Sequence, residues 1–275
     1  MPVFAAADRT NLYYTDEGSG TPLLLLSGLT RNGDDFQYVI PHLRQRGDVR
    51  IITMDYRGRG KSDWADPATY SIVHEAQDVL DLLDHLNANS TAILGTSRGG
   101  LTAMALAATH KSRLTGVALN DIGPEISQTG MDAIRAYVGR NPAAQTYSEA
   151  ANMRAQLMVG FANVPASRWH EEVHTHYRQT PDGLKINYDP RLSETIVPSA
   201  DTSLPNLWPL FDALADLPIC TIKGENSDLF TQATLDKMLA KRPDMMHAII
   251  EDRGHVPFLD EPAAVQTLNK WLDCL

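Results

Sequence analysis

The sequence predicts an α/β fold in which helices cover both faces of a mainly parallel sheet. Its apolar runs have the length of strands and are mostly continuous, which is typical of strands buried on both faces. Helical patterns separate these runs, and such alternation builds parallel sheets from βαβ units. The 275 residues suffice for one large α/β domain with an insertion, or for two small domains.

Seven apolar runs are predicted to be strands, and five segments with apolar residues at helical spacing are predicted to be helices. The strands cover residues 12–15, 23–27, 50–54, 91–95, 116–120, 219–223 and 248–250. The helices cover residues 36–46, 72–86, 101–108, 231–241 and 263–272. Residues 101–108 are apolar almost all round, so this helix should be buried.

The alternation stops between residues 123 and 207, where strand runs vanish and helical stretches rich in Met, Ala and aromatic residues replace them. It resumes at Ile219. We therefore expect a core formed by residues 1–122 and 208–275, with residues 123–207 as a helical insertion over the sheet.

Composition excludes several classes of partner. The formal net charge is −10 and no run of Lys or Arg opposes it, which argues against nucleic acid and anionic membranes. The two cysteines, Cys220 and Cys274, are too few for a disulfide framework or a thiolate metal site. The N-terminus lacks the pattern of a signal peptide, and the apolar runs are too short to span a membrane. A cytoplasmic protein is expected.

The strongest local signal is Gly95-Thr96-Ser97-Arg98-Gly99, a G-x-S-x-G pattern between a predicted strand and a predicted helix. Glycines two residues either side of Ser97 allow strand and helix to approach closely, and the turn lifts the hydroxyl out of the sheet. The alternative without a catalytic role is a glycine-rich turn that only caps a helix. We predict that Ser97 is a nucleophile.

A serine nucleophile needs a base, and His255 is the best placed of the nine histidines. It lies in the loop between the last predicted strand and the last helix, and such loops meet at the carboxyl edge of a parallel sheet. The third member should be a carboxylate on another such loop. Chain order favours Asp228, whereas Asp121 and Glu225 are rivals, and Asp228 could simply begin a helix.

Two backbone N–H groups should stabilise the oxyanion. The N–H of Arg98 lies at the start of the helix after Ser97, and Gly28 allows a tight turn that could aim the N–H of Leu29 at the same point. We predict these two as the oxyanion hole.

These residues resemble the α/β-hydrolase superfamily with a helical cap, over nearly the whole chain. The match is carried by Ser27-Gly28-Leu29, by the D-x-R-G-x-G-x-S segment at residues 55–62, by the Ser97 elbow, and by the acid and base loops. The resemblance implies eight strands, the first only faint near Val3, and a cap domain inserted after the sixth strand. Ser27 stands where the family usually has histidine, so the oxyanion loop must be supported differently here.

A literal H-E-x-x-H pattern occurs at residues 170–174 and could bind zinc on a helix. It lies in the insertion, and the chain already carries a metal-free catalytic set. We expect no metal and no cofactor.

The predicted function is two-step hydrolysis of a small or medium carboxylic ester or lactone. Amidases and carbon–carbon bond hydrolases of this superfamily share the serine triad, and some members are ligand receptors with little turnover, so these alternatives stay open. Arg31 or Arg98, more readily Arg31, could bind a carboxylate of the substrate. Trp169, Tyr137 and Met158 are candidate pocket residues. The oligomeric state, monomer or homodimer, stays open.

Overall fold

The computed structural model describes residues 2–196 and 205–275, and it confirms the predicted α/β fold. Ten strands lie within these residues: β1 (Val3–Ala5), β2 (Asn11–Gly18), β3 (Thr21–Leu26), β4 (Val49–Met54), β5 (Thr91–Thr96), β6 (Leu114–Asn120), β7 (Tyr177–Thr180), β8 (Gly183–Ile186), β9 (Ile219–Gly224) and β10 (Met246–Ile250).

Nine α-helices lie in the same described ranges: α1 (Ile40–Arg46), α2 (Ile72–His85), α3 (Arg98–His110), α4 (Gln128–Tyr137), α5 (Tyr147–Leu157), α6 (Ala166–His176), α7 (Trp208–Asp212), α8 (Gln232–Lys241) and α9 (Pro262–Leu272). Short 3-10 helices cover Gly33–Tyr38, Pro67–Thr69, Lys111–Arg113 and Pro190–Ile196.

Eight strands form one sheet in the order β1-β2-β4-β3-β5-β6-β9-β10. The pairs β1–β2 and β2–β4 are antiparallel, and the other neighbours are parallel. The predicted eight-stranded, mainly parallel sheet is therefore confirmed. In this order β6 lies directly beside β5, and β9 lies one strand further away, which decides the geometry of the site described below.

Both faces of the sheet are buried, which explains the continuous apolar runs. In β3, Leu24 and Leu26 join the core beneath α2, α3 and α8, whereas Leu23 and Leu25 join the core beneath α1 and α9. Every residue of this run is apolar because successive side chains enter opposite cores.

The segment between β6 and β9 contains α4, α5, α6 and α7 together with a β-hairpin formed by β7 and β8. The expectation that strands vanish there is wrong, because β7 is polar and partly exposed and β8 has only four residues, so neither contains an apolar run of strand length. The division into a core of residues 1–122 and 208–275 and a cap of residues 123–207 stays a prediction. Residues 197–204 of that cap lie outside the described residues.

The inserted segment packs on the loops at the carboxyl edge of the sheet. The Asn32 side-chain amide donates to the carbonyl of Thr175 in α6 at 3.2 Å. The rings of Phe161 and Phe258 lie 5.6 Å apart, which joins the insertion to the loop after β10. Among the helices of the described ranges, none is both long and apolar enough to cross a bilayer.

Candidate active site

Ser97 occupies a strained turn between β5 and α3. Its backbone has φ +50°, in the left-handed region that residues with a side chain rarely adopt. A Cβ at Gly95 would lie 2.4 Å from the carbonyl carbon of Gly99, and a Cβ at Gly99 would lie 2.1 Å from the Leu26 carbonyl oxygen. Both glycines of the pattern are therefore required by close backbone approach, as the motif predicts.

The imidazole of His255 lies beside the Ser97 hydroxyl, with 3.1 Å between Nε2 and Oγ. His255 follows β10 in the loop that leads to α9, 158 residues along the chain from Ser97. The parallel topology brings the two loops to one edge of the sheet, as expected for a nucleophile and its base.

Asp121, not Asp228, is the carboxylate that orients His255. Its Oδ2 lies 2.6 Å from His255 Nδ1, and the side chain is fully buried. A buried carboxylate accepts, so Nδ1 carries the proton and Nε2 is left to accept from Ser97. The Asp121 oxygens also accept from the Gly224 N–H at 2.8 Å and from the Ser227 hydroxyl at 2.6 Å.

The prediction of Asp228 is thereby corrected, and Glu225 is excluded with it. Asp228 is half-buried in the turn after β9 and makes no hydrogen bond to His255. Asp121 directly follows β6, the neighbour of β5, whereas Asp228 follows β9, one strand further away in the sheet. The loop after β9 contributes Ser227, which supports Asp121 instead.

The backbone N–H groups predicted to form the oxyanion hole are available to bind an oxyanion. Within the described residues, neither the Leu29 N–H nor the Arg98 N–H has a hydrogen-bond partner. A Cβ added at Gly28 would lie 3.9 Å from Ser97 Cβ, which places the loop that carries Leu29 against the elbow. Their role as an oxyanion hole stays a prediction that this placement supports.

Support for the oxyanion loop comes from Arg59, a residue that sequence reasoning did not single out. Its Nε donates to the carbonyl oxygen of Leu29 at 2.9 Å, and the side chain is fully buried. Ser27 is buried, and its hydroxyl has no partner among the described residues. Arg59 thus supplies a support that Ser27 does not provide.

The Arg98 side chain is not available to bind substrate. Its Nε donates to Glu75 at 2.7 Å and its Nη2 to the carbonyl of Tyr70 at 3.0 Å. The suggestion that Arg98 meets a substrate carboxylate is therefore corrected, whereas its backbone N–H keeps its predicted role.

Arg31 lines a cavity that also contains His255, and it is part of a larger charged group there. Its Nε donates to Asp35 at 2.5 Å and its Nη2 to Glu172 at 3.1 Å. Arg154, which sequence reasoning missed, donates to the same Glu172 oxygen at 3.3 Å. No motif marks Arg154, because only the packing of α5 against α6 brings it here.

The candidate pocket residues separate into two groups. Trp169 and Met158 line the cavity beside His255, together with Phe161 and Phe258. Tyr137 is 51% exposed and does not line this cavity itself, but its hydroxyl interacts with Thr30 and with Arg31, which does. Its place in the substrate pocket therefore stays a prediction.

The H-E-x-x-H pattern forms part of α6, but its side chains diverge. Glu172 faces the arginines of the cavity, His170 is exposed, and the ring of His174 stacks on Tyr147 at 3.8 Å. In residues 2–196 and 205–275, no three His, Cys, Asp or Glu side chains converge to hold a metal ion.

Comparisons with known proteins identify the family and the fold. A family model described as alpha/beta hydrolase fold matches residues 21–262. The 3-hydroxybutyrate-oligomer hydrolase of Cupriavidus necator is 30% identical over 259 residues, which are 91% of this chain and 87% of that protein. The 2-(acetamidomethylene)succinate hydrolase of Mesorhizobium japonicum is 26% identical over 90% of this chain and 86% of its own length.

Among solved structures, an alpha/beta hydrolase from Novosphingobium aromaticivorans superposes with a TM-score of 0.91 at 34% identity. The match covers 100% of this chain and 98% of that one.

Proposed function

Because the chain belongs to the α/β-hydrolase family, we propose that it cleaves a small or medium carboxylic ester or lactone through an acyl-enzyme on Ser97. One observation carries the proposal: Ser97, His255 and Asp121 form a continuous line of hydrogen bonds at 3.1 and 2.6 Å. This is the arrangement by which a serine hydroxyl is activated for attack on a carbonyl carbon.

In the proposed reaction, Ser97 Oγ attacks the carbonyl carbon while His255 Nε2 takes its proton. The Leu29 and Arg98 N–H groups hold the oxyanion, and His255 then protonates the leaving alcohol as the ester bond breaks. Water next attacks the acyl-enzyme, giving one proton to His255 and its hydroxyl to the acyl carbon. The acid leaves, and Ser97 recovers its proton.

The name of one relative supports an ester as the substrate, since 3-hydroxybutyrate units in an oligomer are joined by ester bonds. The name of the other contains an acetamido group, which favours an amide as the second candidate. A carbon–carbon bond hydrolase would use the same three side chains. A ligand receptor would retain the geometry without fast turnover.

A substrate panel of short esters, lactones, amides and β-diketones tests the proposal. We expect esters or lactones to be turned over fastest, with turnover lost in Ser97→Ala, and a fluorophosphonate to label only Ser97. Preferred cleavage of amides or β-diketones would move the assignment to those classes. Ligand-induced stabilisation without turnover or labelling would indicate a receptor.

We also propose a cytoplasmic location and a small-molecule substrate as the partner. Two free cysteines support a reducing compartment, Cys220 buried and Cys274 exposed.

A further inference from the structure

Five ionisable side chains, here called the charged cluster, meet beside the predicted catalytic residues. They are Arg31, Asp35, Arg154, Glu172 and His176. The side chains of Glu172, His176 and Asp35 are only 4%, 8% and 10% exposed. Both guanidinium groups converge on a single oxygen of Glu172, at 3.1 and 3.3 Å.

Several polar atoms of this cluster are buried without a hydrogen-bond partner in the described part of the chain. They are Asp35 Oδ1, His176 Nε2 and Arg154 Nε. The first two lie 3.8 Å apart, which is too far for a hydrogen bond. Leaving such groups unpaired costs free energy, so the cluster is built to receive further polar atoms from water or a ligand.

The charged cluster borders the reaction site. Four of its members line the cavity that contains His255: Arg31, Asp35, Arg154 and Glu172. A Cβ at Gly28 would lie 3.4 Å from Arg31 Cγ and 3.9 Å from Ser97 Cβ, so Arg31 and Ser97 flank the same glycine. The aliphatic stem of Arg31 therefore lies beside the turn that carries Ser97.

Much of the remaining lining is apolar and includes Met158, Phe161 and Trp169, although Tyr38, Thr96 and Asn120 also line the cavity. This combination suits a short hydrocarbon chain that ends in one strongly polar group. Guanidinium groups present paired N–H donors that match a carboxylate.

We propose, on the basis of the proposed ester hydrolysis at Ser97, that Arg31 and Arg154 bind a free carboxylate of the substrate. The substrate is an ester with this carboxylate a few bonds from the scissile carbonyl. Glu172 holds the two guanidinium groups in place, and the substrate carboxylate binds their remaining donors, including Arg154 Nε.

Binding of a substrate carboxylate would also change the net charge of the charged cluster. Burial, reinforced by Arg31 and Arg154, lowers the pKa of His176 well below its usual range, so this ring is neutral. Two cations then balance two carboxylates, and a third carboxylate leaves an excess negative charge. Burial raises the pKa of Asp35 to about 6, and this group is therefore the one that takes up a proton when the anion binds.

A purely structural role for the cluster predicts something different. Arg31 and Asp35 lie between β3 and α1, Asp35 in the 3-10 helix Gly33–Tyr38, and the other three members lie in the inserted segment. The cluster therefore also joins these two parts of the chain. Loss of such a tie would lower stability and slow every substrate alike. The test must therefore compare substrates that differ only in the carboxylate.

The experiment compares wild type with Arg154→Gln on two matched ester pairs. The pair 3-acetoxybutanoate and 3-acetoxybutanamide places the acid on the alcohol side, and monomethyl glutarate with its amide places it on the acyl side. We expect kcat/KM to fall about 10- to 100-fold for one acidic ester and less than about 3-fold for its amide. The pair whose acidic ester loses kcat/KM shows whether the carboxylate lies on the alcohol side or on the acyl side of the ester.

Arg178→Gln, at an exposed position of β7, is the matched control because it removes the same charge away from the cavity. For both ester pairs, this control should leave the ratio of kcat/KM for the acidic ester to kcat/KM for its amide unchanged. Equal losses on acid and amide in Arg154→Gln would overturn the carboxylate site. If Arg154→Gln does not fold, Arg154→Lys replaces it, and the same ratios decide.

Binding to Ser97→Ala separates this inference from the proposed function. Calorimetry should show that 3-acetoxybutanoate or monomethyl glutarate binds Ser97→Ala more tightly than its amide does, and that this preference disappears in Ser97→Ala/Arg154→Gln. Binding without turnover by wild type would contradict ester hydrolysis but keep the anion site. Turnover by wild type with no preference for either acid over its amide would keep ester hydrolysis and contradict the anion site.

Discussion

Arg59 Nε donates a hydrogen bond to the carbonyl oxygen of Leu29 at 2.9 Å, and so holds the loop whose Leu29 N–H is a predicted oxyanion donor. Glu75 binds Arg59 through one oxygen at 2.9 Å and Arg98 through the other at 2.7 Å. One buried carboxylate therefore connects the side chains that fix both predicted oxyanion donors. Arg59 is a positioning residue in this arrangement, because it acts through Leu29.

Arg59→Lys should lower kcat by about 10- to 100-fold and leave KM nearly unchanged, because a lysine cannot reach Glu75 and Leu29 with the same rigid fork. That loss is smaller than the loss of a whole oxyanion donor. Steady-state kinetics on a neutral short-chain ester measures it.

Arg57→Lys is the control for this variant. Arg57 is equally buried and forms paired bonds with Asp78 at 2.8 and 2.5 Å, but its side chain does not contact Leu29. It should lower the unfolding temperature and leave kcat unchanged. A parallel fall of kcat in both variants would assign Arg59 a structural role only.

The identity of the orienting acid gives a second prediction. Asp121→Asn should reduce kcat by about three to four orders of magnitude, because an amide in place of the buried carboxylate favours the wrong tautomer of His255. Asp228→Asn should change kcat less than about 3-fold, since Asp228 makes no bond to the imidazole. The opposite ranking of the two variants in ester turnover would restore Asp228.

The sheet, the elbow and the base could be predicted from the sequence because each is a local signal. Continuous apolar runs mark strands buried on both faces, and the glycines around Ser97 mark a turn that no larger residue could form. Such local signals do not decide which carboxylate orients His255. Both Asp121 and Asp228 follow strand ends in the order that the motif requires, and only the adjacency of β5 and β6 separates them.

The charged cluster could not be predicted because its members come from three separate elements. Arg154 and Glu172 lie 18 residues apart on α5 and α6, and Asp35 lies in a different part of the chain. The sequence points to Arg31 as a candidate for binding a carboxylate, but the other members appear in it as ordinary surface charges on amphipathic helices or a loop. Sequence periodicity gives the face of a helix, but not the partner that the face meets.

Stability should depend strongly on the closest backbone contact at the elbow. Gly99→Ala should lower the free energy of unfolding by about 3 kcal/mol or more, because the new methyl group meets the Leu26 carbonyl and neither backbone can move aside. Gly47→Ala, at φ +74° with open space around it, should cost only about 1 kcal/mol. Urea unfolding of both variants measures the difference, and similar costs would contradict the close packing.

The pH dependence of substrate preference follows from Asp35. Its pKa is raised to about 6 by burial, so the carboxyl is neutral below that pH and the charged cluster then carries one excess positive charge. The ratio of kcat/KM for 3-acetoxybutanoate to that for its amide should therefore fall as the pH rises through about 6. Using the ratio cancels any effect of pH that is common to both substrates.

Asp35→Asn fixes this position in the neutral form. The ratio should then be independent of pH and should stay at the high value that wild type shows below about pH 6. Glu172→Gln should raise the ratio at every pH, because it removes the carboxylate that neutralises the two arginines. A structural tie has no reason to improve the acidic substrate when it is broken, so this gain separates the two roles of Glu172. A ratio that falls in Glu172→Gln while the amide is unaffected would mean that Glu172 serves the bound acid only by positioning Arg31 and Arg154.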